Sequence, residues 1–461
     1  MPSKLSSNLP KPGKIVLVTC KDIDNIGFGL SEWNKWLLVT PDLLPGEIAN
    51  VEITYRHGSR WFTKLKQIIN ISPERIKPPC AVADDCGSCS IQHISINEQW
   101  NLKTKHLKDV LIRIAEINDP VIDYRYKEYV QINDYRNRAI IPVRLTSNRK
   151  LLFGYYRRNT HEIVDTDNCL VLDSRINHFI ISIKSDLNSY LNNYSKFYTD
   201  IQCLKHISLR IGVNTGEILL TFISNSELTQ VFKQLADLWF NRWKNVVGVT
   251  ANIQPNDNNV IFGDKTITLI GKNRLMESLC GLRFALKTTT FFQLNTKKTE
   301  AIIHNLLKVF NQSGITTIVD CYCGVGTFSL PLSKLGYNIF GIEIHQQSII
   351  QAKYNARINH IQNCKFFCGD VKGILDLVLD ANCGLVLDPP RKGLEKNVVD
   401  IIKDKKPSLI AYLSCNPSTL ARDIKLICLN NSYVLDTAFP IDFFPHTTHL
   451  ETLAILVRST S

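Results

Sequence analysis

Cys415 is the residue whose type and position most directly indicate chemistry. It lies in SLIAYLSCNPSTLARD, residues 408–423, where the apolar run before it predicts a buried strand and the run after it predicts a helix. Asn416 is suited to cap that helix and Pro417 to its first turn. A thiol beside a helix N-terminus feels the positive end of the dipole, which lowers its pKa. We therefore predict a reactive thiolate here rather than an inert buried cysteine.

Glu451 is the matching candidate for a general base. It opens the otherwise apolar run of FFPHTTHLETLAIL, where desolvation raises a carboxyl pKa towards a useful range. Taken alone, Glu451 fits a capping or solvent-facing carboxylate equally well. Together, a thiolate and a base suit a pyrimidine: the thiolate adds at C6, C5 becomes nucleophilic, and the base then removes the C5 proton. Nitrogen and oxygen acceptors of a methyl group need no such activation.

A regular alternation of strands and helices positions these groups from about residue 300 onwards. The predicted strands are TTIVDCY, YNIFGIEI, CKFFCGD, CGLVLDPP, SLIAYLSC, YVLDTAFP and TLAILV. This pattern predicts a doubly wound, mostly parallel, Rossmann-like α/β sheet. In such sheets ligands bind at the carboxyl ends of the strands. Four successive strands end in acids, namely Asp320, Glu343, Asp370 and Asp388.

The first of these strands leads into a glycine-rich turn, DCYCGVGTF, which lets a cofactor approach the backbone. Glu343 follows Asp320 by 23 residues and is placed to accept hydrogen bonds from a ribose. The third glycine of a dinucleotide fingerprint is replaced by Ser329, so S-adenosylmethionine is favoured over a dinucleotide or a purely structural turn. Asp388 with its two following prolines resembles the loop that methyltransferases place beside a planar base, and Asp370 lies where they contact adenine.

Composition indicates an acidic partner and gives no sign of a membrane. The 461 residues carry 54 Lys and Arg against 42 Asp and Glu, a net charge of +12, which favours nucleic acid. Residues 1–14 lack an apolar core of the signal-peptide type. No apolar run approaches the roughly 18 residues that cross a bilayer. We expect a cytoplasmic protein.

The N-terminal half contains two candidate RNA-facing segments. Alternating apolar runs over residues 15–70 predict a small β-barrel, and residues 95–117 predict an amphipathic helix capped by Ser95. Residues 124–160 hold nine Lys or Arg against two acids, interleaved with six tyrosines, as in a phosphate-binding surface. For the barrel and for residues 124–160, the alternative is a strand face that is simply exposed to solvent. The barrel residues in question are Arg56, Arg60, Trp61, Phe62, Lys64 and Lys66.

The motifs SCNPSTLARD, FFPHTTHLE, DPPRKG, DCYCGVGTF and TTTFFQLN together resemble the RNA (uracil-C5)-methyltransferase family. The resemblance implies three domains: a TRAM β-barrel in residues 1–70, a central α+β domain in 71–280 and a class I methyltransferase domain in 281–461. The helix at 95–117 could pack on the catalytic domain. The cysteine pattern is similar to that of the branch acting on 23S ribosomal RNA.

The resemblance also implies individual roles. Cys415 is the nucleophile and Glu451 the C5-proton base, and a 4Fe-4S cluster is held by four cysteines. The implied S-adenosylmethionine contacts are Gln293, Tyr322, Thr327, Glu343, Asp370 and Asp388, and the implied cluster ligands are Cys80, Cys86, Cys89 and Cys169. Tyr322 and Thr327 stand at positions that vary within the family.

Residue chemistry alone leaves several points open. Three cysteines within ten residues and one distant cysteine suit structural zinc as well as an iron–sulfur cluster. The alternative substrate is a tRNA uridine, although family members restricted to tRNA generally lack the barrel and the cluster cysteines. A protein of another class, a non-catalytic RNA-binding or chaperone module, would not need Cys415 and Glu451. Nothing in the sequence indicates more than a monomer.

Overall fold

The computed structural model describes residues 9–128 and 131–459. They form two compact units, the first containing the chain up to His106 with Phe444–His449, the second containing Leu107–Phe443 and the chain from Leu450. The helices are α1 (Ile96–Arg113), α2 (Ser174–Asn193), α3 (Phe197–Asp200), α4 (Gln230–Arg242), α5 (Thr296–Asn311), α6 (Ser329–Lys334), α7 (Gln346–Ile358), α8 (Val371–Val378), α9 (Lys396–Lys405) and α10 (Pro417–Ile427), with 3₁₀ turns at Arg125–Glu128, Ile201–Cys203 and Leu429–Asn431.

The first unit is built on a closed five-stranded barrel, as the alternating runs predicted. Its strand order is β1-β2-β3-β5-β4, and side chains alternate between the interior and solvent along β1. Val18, Leu38, Val51 and Ile53 fill the interior. The strands are β1 (Ile15–Ile23), β2 (Gly29–Trp33), β3 (Trp36–Thr40), β4 (Ile48–His57) and β5 (Arg60–Asn70).

A mixed seven-stranded sheet follows in the second unit. Its order is β12-β11-β10-β9-β6-β7-β8, and β13 and β14 pair as a separate ribbon. Helices α2 and α4 pack their apolar faces on this sheet, with Trp239 among the fully buried side chains. The strands are β6 (Arg138–Leu145), β7 (Leu151–Tyr156), β8 (Ile163–Asp165), β9 (Leu204–Ile211), β10 (Ile218–Ser224), β11 (Val246–Ile253), β12 (Lys265–Gly271), β13 (Arg274–Leu279) and β14 (Leu282–Lys287).

The last sheet of the second unit confirms the predicted α/β alternation, with every predicted strand present. Its order is β17-β16-β15-β18-β19-β21-β20, and the first five strands are parallel. β21 runs antiparallel between β19 and β20. The strands are β15 (Thr317–Cys321), β16 (Asn338–Glu343), β17 (Cys364–Cys368), β18 (Gly384–Leu387), β19 (Leu409–Ser414), β20 (Tyr433–Ile441) and β21 (Glu451–Arg458).

Helix α1 begins at the predicted cap, where the Ser95 hydroxyl accepts a hydrogen bond from the Glu98 amide at 3.3 Å. Further along, Leu107 and Leu111 lie in the core of the last sheet. The three predicted domains stay a prediction. No helix in the described ranges is long and apolar enough to cross a membrane.

The basic segment 124–160 is not one continuous surface. Tyr126 and Tyr135 are buried, and Arg138 is turned inward, where it donates to the Thr288 carbonyl at 2.5 Å and lies over the Phe262 ring. Burial lowers the pKa of Arg138 to about 10. Tyr129, one of the six tyrosines, lies outside the described residues. The expectation of a single RNA-facing stretch is therefore wrong for these inward residues.

Candidate active site

Cys415 lies between the end of β19 and the start of α10, as its sequence context predicted. The Asn416 side chain accepts a hydrogen bond from the Ser418 amide at 3.1 Å, and Pro417 occupies the first turn. The thiol is half-buried. The strand therefore presents the thiol at the carboxyl edge of the sheet, directly ahead of a capped helix N-terminus.

The strand register brings Glu451 next to this thiol. Ser414 of β19 pairs with Thr452 of β21, so the next positions along the two antiparallel strands are Cys415 and Glu451. On its other side Glu451 pairs with Ile441 of β20. Glu451 is 8% exposed. Two groups separated by 35 residues of sequence thus meet because β21 inserts antiparallel beside β19.

The charges in this pocket differ in part from the expectation. Burial raises the pKa of Glu451 to about 8, helped by the nearby Asp388 carboxylate and opposed by Arg391, which confirms the predicted rise. The prediction that the pKa of Cys415 is lowered is wrong. Burial raises the pKa of Cys415 to about 11, and the negative charges of Glu451 and Asp388 add to the rise while Arg391 opposes it. Desolvation and two carboxylates outweigh the helix dipole, so the thiol is protonated in the protein without substrate.

Asp388 and Gln293 form a direct pair beside these residues. The Gln293 side-chain amide donates to Asp388 Oδ2 at 3.1 Å. Burial and the neighbouring Asp320 charge raise the pKa of Asp388 to about 7, which the Gln293 hydrogen bond partly offsets. The Gln293 backbone is fixed as well, because its carbonyl accepts a hydrogen bond from the Asn137 side chain at 2.9 Å. The structure thus brings Gln293, Asp388, Cys415 and Glu451 together.

The glycine-rich turn and Glu343 form the second part of the site. Glu343 Oε2 accepts from the Gly324 amide at 3.2 Å, and Oε1 accepts from the His345 amide at 2.9 Å. Gly324 has φ +55°, and no atom lies within 4 Å of where a Cβ would be. The backbone there is open to a ligand, which is the role glycine serves in such turns.

Asp320 lies beneath this turn and was noted in the sequence only as a strand end. One of its carboxylate oxygens accepts from the Ser329 hydroxyl, and the other is buried with no hydrogen-bond partner among the described residues. Burial raises the pKa of Asp320 to about 7. A buried acceptor without a partner beside an open glycine turn fits a cofactor that brings hydrogen-bond donors, as S-adenosylmethionine does.

The other three expected cofactor contacts occupy different environments. Tyr322 is half-buried in the turn with φ +66°, a backbone conformation that costs energy for a bulky residue, and burial raises its pKa. Thr327 is buried in the same turn. Asp370 is half-buried, caps α8 by accepting from the Lys372 amide at 3.2 Å, and pairs with the Lys372 ammonium, which holds the pKa of Asp370 below its usual range.

Two groups that sequence reasoning missed hold the loop after β18. The Arg391 carbonyl accepts from the side chains of Asn416 and Thr419, both at 3.3 Å. Asp423, which is fully buried, accepts from the Tyr412 hydroxyl and the Leu394 amide, both at 2.8 Å. The DPPRKG and LARD motifs contained these residues, but nothing in their spacing shows that one motif clamps the other.

The cysteines expected to bind a metal are divided between the two units. Cys80, Cys86 and Cys89 lie in a segment of turns in the first unit, where the Cys80 carbonyl accepts from Ala83 at 3.2 Å and the Cys86 amide donates to Val82 at 2.8 Å. Cys169 belongs to the second unit, and its amide donates to Asn177 at 3.0 Å. All four are half-buried. Within residues 9–128 and 131–459, no three His, Cys, Asp or Glu residues are grouped to hold a metal ion. Thiols are the right donors for such a cluster, but Cys80, Cys86 and Cys89 of the first unit are not grouped as metal ligands.

Known proteins of similar sequence are named as RNA methyltransferases. A family model described as tRNA (uracil-5-)-methyltransferase matches residues 95–369 and 370–459. An uncharacterized RNA methyltransferase of Parasynechococcus marenigrum is 40% identical over 466 residues, spanning 100% of this chain and 99% of that protein. One from a Synechocystis species is 35% identical over 454 residues, spanning 98% and 97%.

A solved structure shares the whole architecture. The Pyrococcus abyssi tRNA (uracil-54, C5)-methyltransferase in complex with S-adenosyl-L-homocysteine matches with a TM-score of 0.75 and 24% identity, covering 96% of this chain and 100% of that one. This likeness concerns the fold. The fold-class prediction is confirmed: a class I methyltransferase sheet follows an OB-like five-stranded barrel.

Proposed function

The chain belongs to the tRNA (uracil-5-)-methyltransferase family, and from that premise we propose that it methylates C5 of a uridine in 23S ribosomal RNA. The observation that carries the proposal is the meeting of Cys415 and Glu451 at adjacent ends of β19 and β21. A methyltransferase acting on nitrogen or oxygen would need neither a thiol nor a buried base at this position.

Cys415 acts as the nucleophile in this proposal. Its sulfur forms a bond to uracil C6, and the electron pair of the C5–C6 double bond moves into the ring as an enolate. The thiol must lose its proton first, because its pKa is raised to about 11. Glu451 and Asp388 are the two carboxylates whose charges reach it. Asp388 takes the thiol proton when uracil binds and returns it to the thiolate at the end, because Glu451 has to remain a carboxylate until it removes the C5 proton.

Glu451 completes the reaction. Once C5 carries the methyl group, Glu451 removes the C5 proton, the C5–C6 double bond re-forms and the carbon–sulfur bond breaks, which releases Cys415. A base near its own pKa at the working pH accepts and returns a proton most efficiently, and burial gives Glu451 a pKa of about 8. The Gln293 side-chain amide donates to Asp388 and holds that carboxylate in place beside the reacting groups.

S-adenosylmethionine, when bound, supplies the electrophilic methyl group. We assign its binding to Gln293, Tyr322, Thr327, Glu343, Asp370 and Asp388. The open backbone at Gly324 and the hydrogen-bonded carboxylate of Glu343 support this assignment.

The choice of ribosomal RNA is supported by the N-terminal unit. We take its closed barrel for a TRAM domain that binds RNA, with the stacked Tyr55 and Phe62 rings, 4.9 Å apart, and Arg56 over the Trp36 ring at 5.6 Å on its surface. Such aromatic and cationic surfaces suit unpaired RNA. A monomer acting in the cytoplasm, where this RNA is found, is part of the proposal.

A 4Fe-4S cluster on Cys80, Cys86, Cys89 and Cys169 is a separate part of the proposal, supported by the four thiols and the family resemblance alone. We assign it a structural or RNA-facing role and no part in methyl transfer. Anaerobic purification followed by iron, sulfide and zinc analysis tests it. Four irons and four sulfides per chain, lost in the Cys86→Ser variant, are expected; one zinc, or no metal, would refute the cluster.

Tritium release tests the main proposal. Purified protein and S-adenosylmethionine are incubated with 23S ribosomal RNA carrying tritium at uracil C5, with bulk tRNA labelled in the same way as the parallel substrate. Cofactor-dependent release from the ribosomal RNA is expected. Release from tRNA and not from ribosomal RNA would mean that the substrate is a tRNA uridine. Binding of both RNA and cofactor without release from either would leave a non-catalytic RNA-binding protein.

A further inference from the structure

A basic cleft in the second unit takes no part in the chemistry described above. Its volume is about 800 Å³, and it lies between the segment Tyr124–Lys127 and one face of α5. We propose that this cleft binds the sugar–phosphate backbone of unpaired RNA next to the target uridine, with Tyr124 stacking on a base. The inference rests on the proposed function and adds to it a specific RNA-binding site.

The charges lining the cleft favour an anion. Lys127, Lys297 and Lys308 all line it and are exposed. Arg125 adds a guanidinium, although Asp123 accepts from its Nε at 2.9 Å. Among the described residues that line the cleft, Glu300 is the acid, and one of its oxygens accepts from the Cys280 amide at 3.1 Å. Positive charge therefore exceeds negative charge along both walls.

The position of Lys297 is unfavourable for the helix that carries it. It stands in the first turn of α5, whose first turn contains no acid. A cation there meets the positive end of the helix dipole, which destabilises the helix. An anion bound at the same place would make the electrostatic contribution favourable, because both the lysine and the helix N-terminus attract it.

Asn305 provides an independent sign of a missing ligand. It lies on the same helix face as Lys297, Ala301 and Lys308, at intervals of four, four and three residues, and it lines the cleft. Asn305 is 5% exposed, and its side-chain NH₂ has no hydrogen-bond partner among the described residues. Buried donors are normally satisfied, and a phosphate or base oxygen in the cleft would complete the hydrogen bonding of this NH₂ once the side chain turns towards it.

An exposed aromatic ring borders these donors. Tyr124 is 45% exposed, whereas its neighbour Tyr126 is buried and donates from its hydroxyl to the Ala301 carbonyl at 3.2 Å. Tyr126 thus fixes the segment to α5, which leaves Tyr124 at the rim. Unpaired bases stack on such rings whatever their identity.

Both walls of the cleft are connected to the elements that carry the active site. The cap of α5, Asn295, donates to the Phe443 carbonyl at 3.2 Å, and Gln293 two residues earlier contacts Asp388. On the opposite wall Arg125 lies over Phe439 of β20 at 4.9 Å, and β20 is paired with the strand of Glu451. From Lys297 to Lys308 the helix extends about 16 Å, enough for several nucleotides.

A second basic cavity provides a contrast. It has a volume of about 680 Å³ and is lined by Lys353, Arg357 and Lys365. It lies at β17, at the opposite end of the sheet from β20. In this order β20 is two places from β19, the strand that leads to Cys415, and β17 is four places away, so we assign RNA binding to the α5 cleft.

The double variant Lys297→Gln, Lys308→Gln tests the proposal. Its matched control, Lys233→Gln, Lys244→Gln, removes the same charge from exposed positions on and just after α4. For the cleft variant we expect the KM for 23S ribosomal RNA to rise about tenfold with kcat unchanged, and the slope of log affinity against log salt to fall by about 1.4, the value for two lost phosphate contacts. The control should change neither quantity.

Equal behaviour of the two double variants in KM and salt slope would overturn the proposal. The salt slope is measured by filter binding to 23S ribosomal RNA without cofactor, so it remains informative if no methylation is found and the proposed function fails. Tyr124→Phe should bind as the native protein does, and Tyr124→Ala should bind about fivefold more weakly. Equal binding by these two variants would remove the stacking part of the proposal.

Discussion

The two sides of the catalytic sheet hold their polar groups in opposite ways. At the ends of β16 and β17, Glu343 accepts two backbone hydrogen bonds and Asp370 pairs with Lys372 in contact with solvent. At the ends of β18 and β19 and the start of β21, the half-buried Asp388 and Cys415 lie beside the buried Glu451, and each of the three has its pKa raised. We call Glu343 and Asp370, whose carboxylates have hydrogen-bond or ion-pair partners, the satisfied half of this sheet edge. We call Asp388, Cys415 and Glu451, whose pKa values are raised by burial, its desolvated half.

This difference separates binding from chemistry. A carboxylate that is already hydrogen-bonded and charged serves as a fixed acceptor for a ligand, and its loss costs only the bonds that it makes. A group whose pKa is raised by burial can lose and regain a proton during the reaction, as a nucleophile and a base must. Substitutions in the desolvated half should therefore act on kcat, and substitutions in the satisfied half on the KM for the cofactor.

Cys415→Ala should have the largest effect. Without the thiol no adduct forms at C6, and we expect methylation to fall by more than about 10⁴-fold while RNA and cofactor still bind. Tritium release and filter binding measure the two properties separately. Cys428→Ala, at the other end of α10, is the matched control and should retain activity. Methylation by the Cys415 variant would show that the nucleophile is assigned wrongly.

Glu451→Gln should come next, with a different signature. The amide keeps the shape of the side chain but cannot take the C5 proton, so turnover should fall by about 10²- to 10⁴-fold. Addition and methyl transfer can still occur, so the methylated RNA should stay covalently attached to Cys415. A denaturing gel would reveal this complex, and the double variant with Cys415→Ala should lack it. The exposed Glu395→Gln is the control, and absence of a trapped complex would count against Glu451 as the C5 base.

The pH dependence of kcat/KM should follow the desolvated half. Glu451 must be a carboxylate to accept a proton and its pKa is raised to about 8, so activity should rise with pH, about tenfold per unit below 8. The raised pKa of the thiol favours a rise in the same direction. Arg391 lowers both pKa values, so Arg391→Gln should move the profile to higher pH. A profile that falls between pH 6 and 8 would contradict this assignment.

Most of this sheet could be predicted from the sequence because its strands are short apolar runs with local signals at each end. The cap at Asn416 and the acids at the strand ends depend on neighbouring residues only. The pKa of Cys415 could not be predicted in this way. Its direction is set by Glu451 and Asp388, which reach the thiol through strand pairing, and by burial, whereas the sequence displays only the helix dipole.

The basic segment 124–160 is a second case in which the local sequence was not enough for the prediction. A count of Arg and Tyr over residues 124–160 predicted one surface, yet Arg138 turns inward to the Thr288 carbonyl while Lys127 faces a cleft. Charge per residue says nothing about which side of a strand a residue occupies. The cleft itself needs α5, more than 160 residues further along the chain, so its second wall could not be found from local composition.

Glu343→Gln should mainly weaken cofactor binding. The amide can accept one hydrogen bond but loses the charge that holds both the Gly324 and His345 amides, and a charged acceptor contributes more than a neutral one. We expect the Kd for S-adenosylmethionine to rise about tenfold, with kcat at saturating cofactor within about twofold. Isothermal titration gives the Kd directly. An equal loss in kcat would mean that Glu343 belongs with the chemical half of the sheet.

Asp370→Asn should have the smallest effect, and its size tests how sharp the division between the two halves is. The Asp370 carboxylate is 43% exposed and already paired with Lys372 at 3.1 Å, so a ligand contact gains little from its charge. Asparagine also caps helices well, which keeps α8 in place. We therefore expect the Kd for S-adenosylmethionine to rise by less than about threefold, with no change in the pH profile. A shift of the profile would show that charge at the end of β17 reaches the buried pocket, and the two halves would then have to be treated as one electrostatic unit.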